Sequence, residues 1–553
     1  MKLLTKTDFI SYKECPNNVW IKWNKPEEYA KFPISEFEQS LAEMGNEVEE
    51  LARGMFPDGY LIEKRSEGAQ ELTKKLMLVY TPIIFQAVFS TDQYLAATDV
   101  LKWNPEAKAY DLYEIKMSSA EGEDEESDDL PAPSLSRQAG GKPKVNKKRE
   151  LQYENDIAFQ TNVAKLCGVS FNKKYLVRLN KKYKKQGDLD YSKLFDIADK
   201  TEILNEVFLS NVLTEMQSAY EYLSQKSLPI QRCPCYFKGR SSHCTTFSLS
   251  NPDVPAYSVH DLNRIGNSKK YLAELLNEGV MKIDEVPEDD RLKPKQKKTG
   301  DLPTPSLSRQ AGEPGKPKKL NQVRVYKSKK EIIDLAGIKT ELDSLKYPLY
   351  FLDYETSPRA IPLYNGYHPY QHVVFQYSLH ILRSKDAELE HKECLILDGD
   401  PSERIVESLR ADIGDTGSVI SWYKSFENSR NKELAELVPS QYDFLHSVIN
   451  RTYDLMDIVE KQYYVHHGFK GSSSIKKIQP VIAPDFSYKE LAVQNGTAAI
   501  EAYRQIASGE LKGALADEKR KQMLKYCEYD TKIMYIIWKF FRDMVDNDNT
   551  NKK

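Results

Sequence analysis

What the sequence lacks narrows its class first. It holds no run of about 18 apolar residues, so no transmembrane helix is expected. Its opening residues, Met1-Lys2-Leu3-Leu4-Thr5-Lys6-Thr7-Asp8, have no apolar core of the signal-peptide kind. Both absences lead to the expectation of a cytoplasmic protein with no membrane partner. Cysteine is scarce: seven in 553 residues do not make a disulfide scaffold, and in a reducing compartment a cluster of them points to metal or iron-sulfur ligation. Charge of one sign is lacking as well. Lys and Arg number 79 against 82 Asp and Glu, a net charge of -3, so the case for a nucleic-acid partner rests on local sites. No zinc-finger, RNP or helix-turn-helix spacing occurs, which leaves sequence-nonspecific contact with the backbone as the expected mode.

Core material, by contrast, is abundant. Hydrophobic residues make up 40% and aromatic residues 11%, Tyr alone numbering 34, which excludes a wholly disordered chain. At about 150 residues per domain, the length requires several units. Two stretches cannot bury enough apolar surface to fold alone: 118–149, acidic from Glu121 to Asp129 and then rich in Lys, Gly and Pro, and 294–321. They share a near-identical segment, found at Leu130 to Gly140 and again at Leu302 to Gly312, read as duplicated linker sequence with a docking motif as the alternative. Between them, Val259 to Ile265 and Tyr271 to Leu276 have helical spacing with a stop at Gly279. The expected layout is a mixed α/β chain: a domain over 1–247 with a disordered insertion at 118–149, a helical bridge and Pro/Lys-rich linker over 248–322, a second domain over 323–545, and a disordered tail at 546–553.

From Ile84 to Lys116 the residues alternate like paired strands, with Asn104-Pro105 marking a hairpin turn. Period two puts Glu114 and Lys116 on one face, and the pairing brings Asp99 close to it. Two carboxylates and an amine so placed suit phosphodiester hydrolysis: Asp99 and Glu114 hold a hard divalent ion, while Lys116 orients water and offsets phosphate charge. A solvated hairpin face is the alternative on spacing alone. The region resembles the RecB-like branch of the PD-(D/E)XK nucleases, including the CRISPR-associated four-cysteine nucleases. The resemblance rests on Asp99, Glu114-Ile-Lys116, the helix Asp156-Ile-Ala-Phe-Gln160 and the opening Phe9 to Trp20 around Cys15. It implies a restriction-endonuclease-like fold with Gln160 contacting substrate. Many members carry a metal-binding His where this chain has Gly45-Asn-Glu-Val-Glu49, so Glu49 is the stand-in. The resemblance further implies that Cys15, Cys233, Cys235 and Cys244 join the two ends of the domain around a 4Fe-4S cluster, with zinc as the alternative. The short Cys233-Pro-Cys235 interval departs from the family's wider one. Cys167, Cys394 and Cys527 stand apart and are expected to be small buried hydrophobes.

The C-terminal signal is denser. Tyr347 to Thr356 reads as a strand with Asp353 and Glu355 on one face near its end; Glu427 follows a second strand, and Tyr526 and Asp530 share a helix face at a spacing of four. Such carboxylates can bridge two metal ions. The ordered set resembles the DEDD exonucleases of the ribonuclease H fold, in the branch with a Tyr-x-x-x-Asp third motif. That resemblance assigns Asp353, Glu355, Glu427 and Asp530 to two Mg2+ or Mn2+ ions and Tyr526 to positioning water, with 3' to 5' polarity. Glu427 stands where most members have Asp. Tyr453-Asp-Leu, Phe469 to Lys476 and Tyr488 to Gly496 extend the likeness to an uncharacterised bacterial domain of this fold found fused to RecB-like nucleases. It implies that the Gly471-Ser-Ser-Ser-Ile-Lys476 loop lies near substrate, where Lys476 binds phosphate; a plain turn is the alternative. Asp454 and Asp457 are read as structural or as supporting the metal ligands from behind.

Basic clusters lie at Lys142 to Arg149, Lys173-Lys174, Asn180 to Lys185 and Lys293 to Lys298. In the third, Lys182 and Lys184 flank Tyr183, a pattern able to meet phosphate and base, or else a solvated loop. The combined expectation is a metal-dependent nuclease acting on DNA or RNA, with protein partners unknown. One active module, or a silent nucleic-acid-binding or defence-associated scaffold, are the rivals.

Overall fold

The alternating strands around Asp99 form the middle of a seven-stranded sheet. The computed structural model describes residues 2–63, 68–119, 147–292, 318–486 and 496–551. In the N-terminal sheet β2 (Tyr60–Leu61), β3 (Ile83–Ser90), β4 (Tyr94–Asn104), β5 (Ala109–Ser119), β6 (Phe171–Leu179) and β7 (Phe195–Asp199) lie in that order, and β1 (Leu4–Thr5) pairs with β4. β3 is apolar along nearly its whole length because packed clusters cover both faces of the sheet. The β4–β5 hairpin turns where Asn104 Oδ1 accepts the N–H groups of Glu106 and Ala107, each at 3.1 Å. β5 and β6 are parallel, and the crossover between them contains the helix Lys147–Leu166, which carries Asp156 and Gln160. The expected insertion falls mostly on 120–146, including the first repeat, outside the described residues. Its flanks are ordered, since Ser118 and Ser119 end β5 and Lys147 opens the helix.

Residues 256–292 form the expected bridge. The helix Lys269–Asn277 and neighbouring single turns bury Val259, Leu262, Leu272, Leu275 and Val286. The helix Lys318–Ser328 completes this core with Leu320 and Val323, so 318–322 are helical rather than linker. The second repeat and Lys293 to Lys298 lie outside the described residues.

In the C-terminal sheet β11 (Leu389–Leu395), β10 (His372–Leu382), β9 (Leu349–Pro358), β12 (Ser418–Ser421) and β13 (Thr452–Asp454) lie in that order, and β8 (Ile332–Ile333) pairs with β14 (Tyr464–Val465). β9, β10 and β11 are antiparallel, while β12 and β13 add in parallel. Alternate residues of central β9 split between two cores. Leu349 and Phe351 pack with the long helix Ala514–Asn551, while Tyr350, Leu352 and Tyr354 pack with the helices Ser402–Asp412, Lys424–Leu437 and Tyr442–Asn450. Asp353 and Glu355 share the Phe351 face. The long helix runs to Asn551 in place of the disordered tail expected from 546, and Asp546 pairs with Lys385 and Arg542, each at 3.0 Å.

Past Pro358 the chain leaves β9 and enters the N-terminal module. Ala360 and Ile361 are buried beside Val48, Ala52 and Tyr183. The Lys185 N–H donates to Tyr367 O at 3.0 Å, the Gly366 N–H donates to Lys185 O at 2.9 Å, and Tyr370 Oη donates to Met117 O, the carbonyl next to Lys116. The strand bearing the C-terminal acids therefore continues straight into a module contact. Among the described residues, no helix is long and apolar enough to cross a membrane.

Candidate functional site

β9 presents Asp353 and Glu355 on one face. The helix Lys424–Leu437 begins just beyond β12 and delivers buried Glu427 from its first turn, and the long helix adds Tyr526 and Asp530 one turn apart. Burial, then the neighbouring carboxylates, pushes Asp353, Glu355 and Glu427 well above the usual carboxylate range: Asp530 acts on Asp353 and on Glu355, and Asp353 acts on Glu355 and on Glu427. Lys476 opposes this at Glu355 and Arg430 at Glu427. Glu427 Oε2 is buried and accepts no hydrogen bond. Cys527, expected to be a plain buried hydrophobe, places its sulfur with oxygens of Asp353 and Glu355 in a group whose ligand atoms all lie within 4.8 Å of one another. Buried carboxylates such as Glu355 and Glu427, set close to Asp353, are a donor set that a hard divalent ion satisfies. Sequence spacing missed Cys527 because Tyr526 and Asp530 had already claimed that helix turn.

Asp454 holds the Glu427 helix in place. Its carboxylate accepts the N–H groups of Tyr423 and Lys424, both at 3.0 Å, and of Met456 at 3.2 Å. The first two are orphan donors at the start of that helix, and the third fixes the turn that follows β13. Asp454→Ala should lower unfolding stability by about 1–3 kcal/mol, the cost of stranding buried donors. Urea denaturation checks it, and an unchanged midpoint would remove the capping role.

At the N-terminal site the hairpin brings Asp99, Glu114 and Lys116 together. Asp99 accepts the Ile115 N–H at 2.8 Å. Glu114, fully buried, is held by Lys6 Nζ at 2.5 Å, Lys116 Nζ at 2.8 Å and Gln160 Nε2 at 2.6 Å, and Lys116 also pairs with Asp156. Burial disfavours the Glu114 carboxylate, yet Lys116 and Lys6 outweigh it and hold the group well below the usual range. Burial, Glu114 and Glu49 push Asp99 up to about 7. Glu49, the expected stand-in for a metal-binding His, acts on Asp99 through its charge, and its carboxylate is engaged by Arg53 at 2.8 Å and by Gln86. Gln160, expected to contact substrate, is wholly buried against Glu114. Lys6 escaped the sequence reading because it arrives through the long-range β1–β4 pairing, which no local pattern reports. Here the carboxylates are met by protein ammonium groups.

Cys15, between the helices Lys6–Glu14 and Pro16–Asn24, meets Cys233, Cys235 and Cys244, with all four sulfurs within 4.8 Å of one another. Hydrogen bonding among the thiols, Cys15 foremost, brings Cys233 down to about 7 and Cys235 well below the usual thiol range, while Cys244 is raised. Asn251 Nδ2 donates to Cys233 Sγ at 3.3 Å and Lys238 Nζ to Cys235 Sγ at 3.6 Å. Donors aimed at sulfur favour the thiolate, the form that ligates metal.

The basic loop at 180–185 differs from expectation. Tyr183 is turned inward, its hydroxyl accepting the Asp190 N–H at 3.2 Å, so it cannot stack on a base. Lys184 Nζ lies 3.4 Å from Glu436 of the C-terminal module, and the Lys182 N–H donates to Asn180 Oδ1 within the loop. The loop is a module contact. The Gly471-Ser-Ser-Ser loop is anchored to the bridge, where Asn263 Nδ2 donates to Gly471 O at 2.8 Å, and within its own module, where Ser473 Oγ donates to Glu460 at 2.5 Å. Gly471 has φ +76, and a Cβ there would come 2.3 Å from Gln322. Lys476 follows this loop and acts on Glu355. Of Tyr488 to Gly496, only Gly496 is among the described residues.

The chain is thus a mixed α/β protein of two modules, with a cysteine group and an Asp/Glu/Cys group that could each hold metal. Residues 350–474 match a domain of unknown function, DUF2779. The match spans Asp353, Glu355 and Glu427 and ends before Lys476, Tyr526 and Asp530. The chain is similar to the uncharacterized protein UU173 of Ureaplasma parvum, 28% identical over 253 residues, which is 41% of this chain and 35% of that one. It is also similar to the uncharacterized protein MG366 of Mycoplasma genitalium, 26% over 229 residues (37% and 34%), and to the MG366 homolog of Mycoplasma pneumoniae, 27% over 248 residues (41% and 37%). The chain spans about a third of the length of these curated relatives. No solved structure matches it.

Proposed function

We propose that this protein is a metal-dependent nuclease of DNA or RNA whose chemistry resides in the C-terminal module. The observation that carries the reading is the group of carboxylates that β9 and the Lys424–Leu437 helix bring together: Glu355 and Glu427 are buried, each of Asp353, Glu355 and Glu427 is held well above the usual carboxylate range by burial and neighbouring carboxylates, Asp530 among them, and Glu427 Oε2 accepts no hydrogen bond. The resemblance to DEDD exonucleases of the ribonuclease H fold agrees with this placement and supplies the 3' to 5' polarity. Asp353, Glu355, Glu427 and Asp530 would hold Mg2+ or Mn2+, which would supply Lewis-acid stabilisation and an activated water. Tyr526 orients the attacking water, and Lys476 offsets phosphate charge beside Glu355. The RecB-like resemblance of the N-terminal module stands on Asp99, Glu114, Lys116 and Gln160, but Lys6 and Lys116 already neutralise Glu114 there, which favours one active module over two.

For the cysteines the reading is a single tetrahedral ion, zinc before a 4Fe-4S cluster. Thiolates about 2.3 Å from one ion stand roughly 3.8 Å apart, against 3.9 Å between the sulfurs of Cys233 and Cys244. A cubane, with iron and sulfide between the thiolates, requires them farther apart. Metal analysis of protein purified without oxygen should find about one zinc per chain and no broad visible absorption; four irons would reverse the assignment.

The test of the activity is degradation of end-labelled single-stranded DNA and RNA with Mn2+ or Mg2+. The intact chain should give a ladder that Asp353→Ala removes and Lys116→Ala leaves. A ladder lost only with Lys116→Ala moves the chemistry to the N-terminal module, and intact substrate under every condition leaves a binding scaffold.

A further inference from the structure

A cavity of about 270 Å³ lies between the modules, walled by the helix Glu36–Ala52, the end of β9 and the helix Gly496–Ala507. It adjoins the acids. A Cβ on Gly496 would stand 3.9 Å from Glu355 Oε2, the next residue, Thr497, lines the cavity, and so does Ser357, which shares a strand face with Glu355. Ser357 is 1% exposed and its hydroxyl has no hydrogen-bond partner, so a buried polar group at the cavity wall awaits one. Phe37, Met44 and Ile500 supply an apolar lining.

Size and charge restrict the occupant. The volume sits just under the roughly 300–1,000 Å³ of small-molecule sites, which suits one ring system with a sugar rather than a duplex end. Arg359 pairs with Glu47 at 3.1 Å and Arg504 with Glu501 at 2.6 Å, and Glu43 adds a further negative charge, so a phosphate is disfavoured inside. We infer that the cavity is the subsite for the terminal nucleoside of a single strand, its base against Phe37 and its sugar toward Ser357, with the scissile phosphate left outside at Asp353 and Glu355. The inference rests on the nuclease reading and adds to it: the N-terminal module, through Phe37 and Met44, builds one wall of the C-terminal module's substrate site.

The test uses the full chain and single-stranded oligonucleotides ending at the 3' side in 5-iododeoxyuridine or 5-iodouridine, irradiated with Ca2+ in place of Mg2+. The expected cross-link is to Phe37. Phe37→Ala should cut its yield about tenfold, the scale of one lost base–aromatic stack. Ser40→Trp, which fills the cavity from an exposed helix, should abolish it, and melting curves verify that both variants fold. The stronger arm assigns deoxyribose or ribose. Cross-linking to peptides outside the cavity, or a yield that neither variant changes, overturns the subsite. Cleavage with Mg2+ is scored in parallel: a chain that cuts but cross-links elsewhere loses the subsite and keeps the nuclease reading, whereas one that cross-links at Phe37 and cuts nothing does the reverse.

Discussion

Asp353→Asn is expected to lower cleavage by more than 10²-fold and, without metal, to raise thermal stability. The activity loss follows from removing a carboxylate that would bind metal directly, since even outer-shell partners of metal ligands typically cost about 10–100-fold. The stability gain follows from the same geometry read in the opposite sense. Burial and Asp530 push Asp353 well above the usual carboxylate range, so its charged form is disfavoured in the fold, and an uncharged isostere relieves that by something on the order of 1 kcal/mol. Added Mg2+ should stabilise the wild-type chain through mass action and leave Asp353→Asn unmoved. Differential scanning calorimetry with and without Mg2+, beside the cleavage assay, reads both effects. A variant destabilised in the absence of metal would mean that Asp353 is a structural acceptor, not a strained ligand.

The largest stability loss is expected from Cys15→Ser. Cys15 is the sole member of the sulfur group from the start of the chain, so its loss unties the first helices from the 233–244 segment. If metal holds the group, the effect compares with breaking a buried ion pair, about 3–5 kcal/mol, or a fall of roughly 10 °C in melting temperature. Cys394→Ser, at a half-buried thiol outside the group, serves as control. Chelation should bring the wild-type chain to the variant's midpoint and leave the variant unchanged; equal melting of Cys15→Ser and the intact protein would make the four thiols mere packing.

Much of each site was legible because short-range periodicity is written directly into sequence. Alternation along β5 placed Glu114 with Lys116, alternation along β9 placed Asp353 with Glu355, and one helical turn aligned Tyr526 with Asp530. The Asn104-Pro105 turn also sat where the hairpin reverses. Helical spacing likewise marked the bridge, although its closing helix began inside a stretch read as linker. Tyr183 failed for a related reason. Its lysine neighbours suggested a loop open to phosphate and base or to solvent, but the ring packs into the N-terminal core beside Ala360 and Ile361.

What the sequence by itself determined is which residues share a strand face or helix face, because backbone geometry repeats every two or 3.6 residues whatever surrounds it. Only the tertiary structure decided which faces meet. The β1–β4 pairing brought Lys6 onto Glu114 and gave the N-terminal carboxylates protein cations. The packing of the long helix on β9 set Cys527 beside Asp353 and Glu355. The passage of the chain from β9 into the N-terminal module made a cavity that belongs to both. Those contacts join residues tens to hundreds of positions apart, and their energy exists only once the intervening chain has folded.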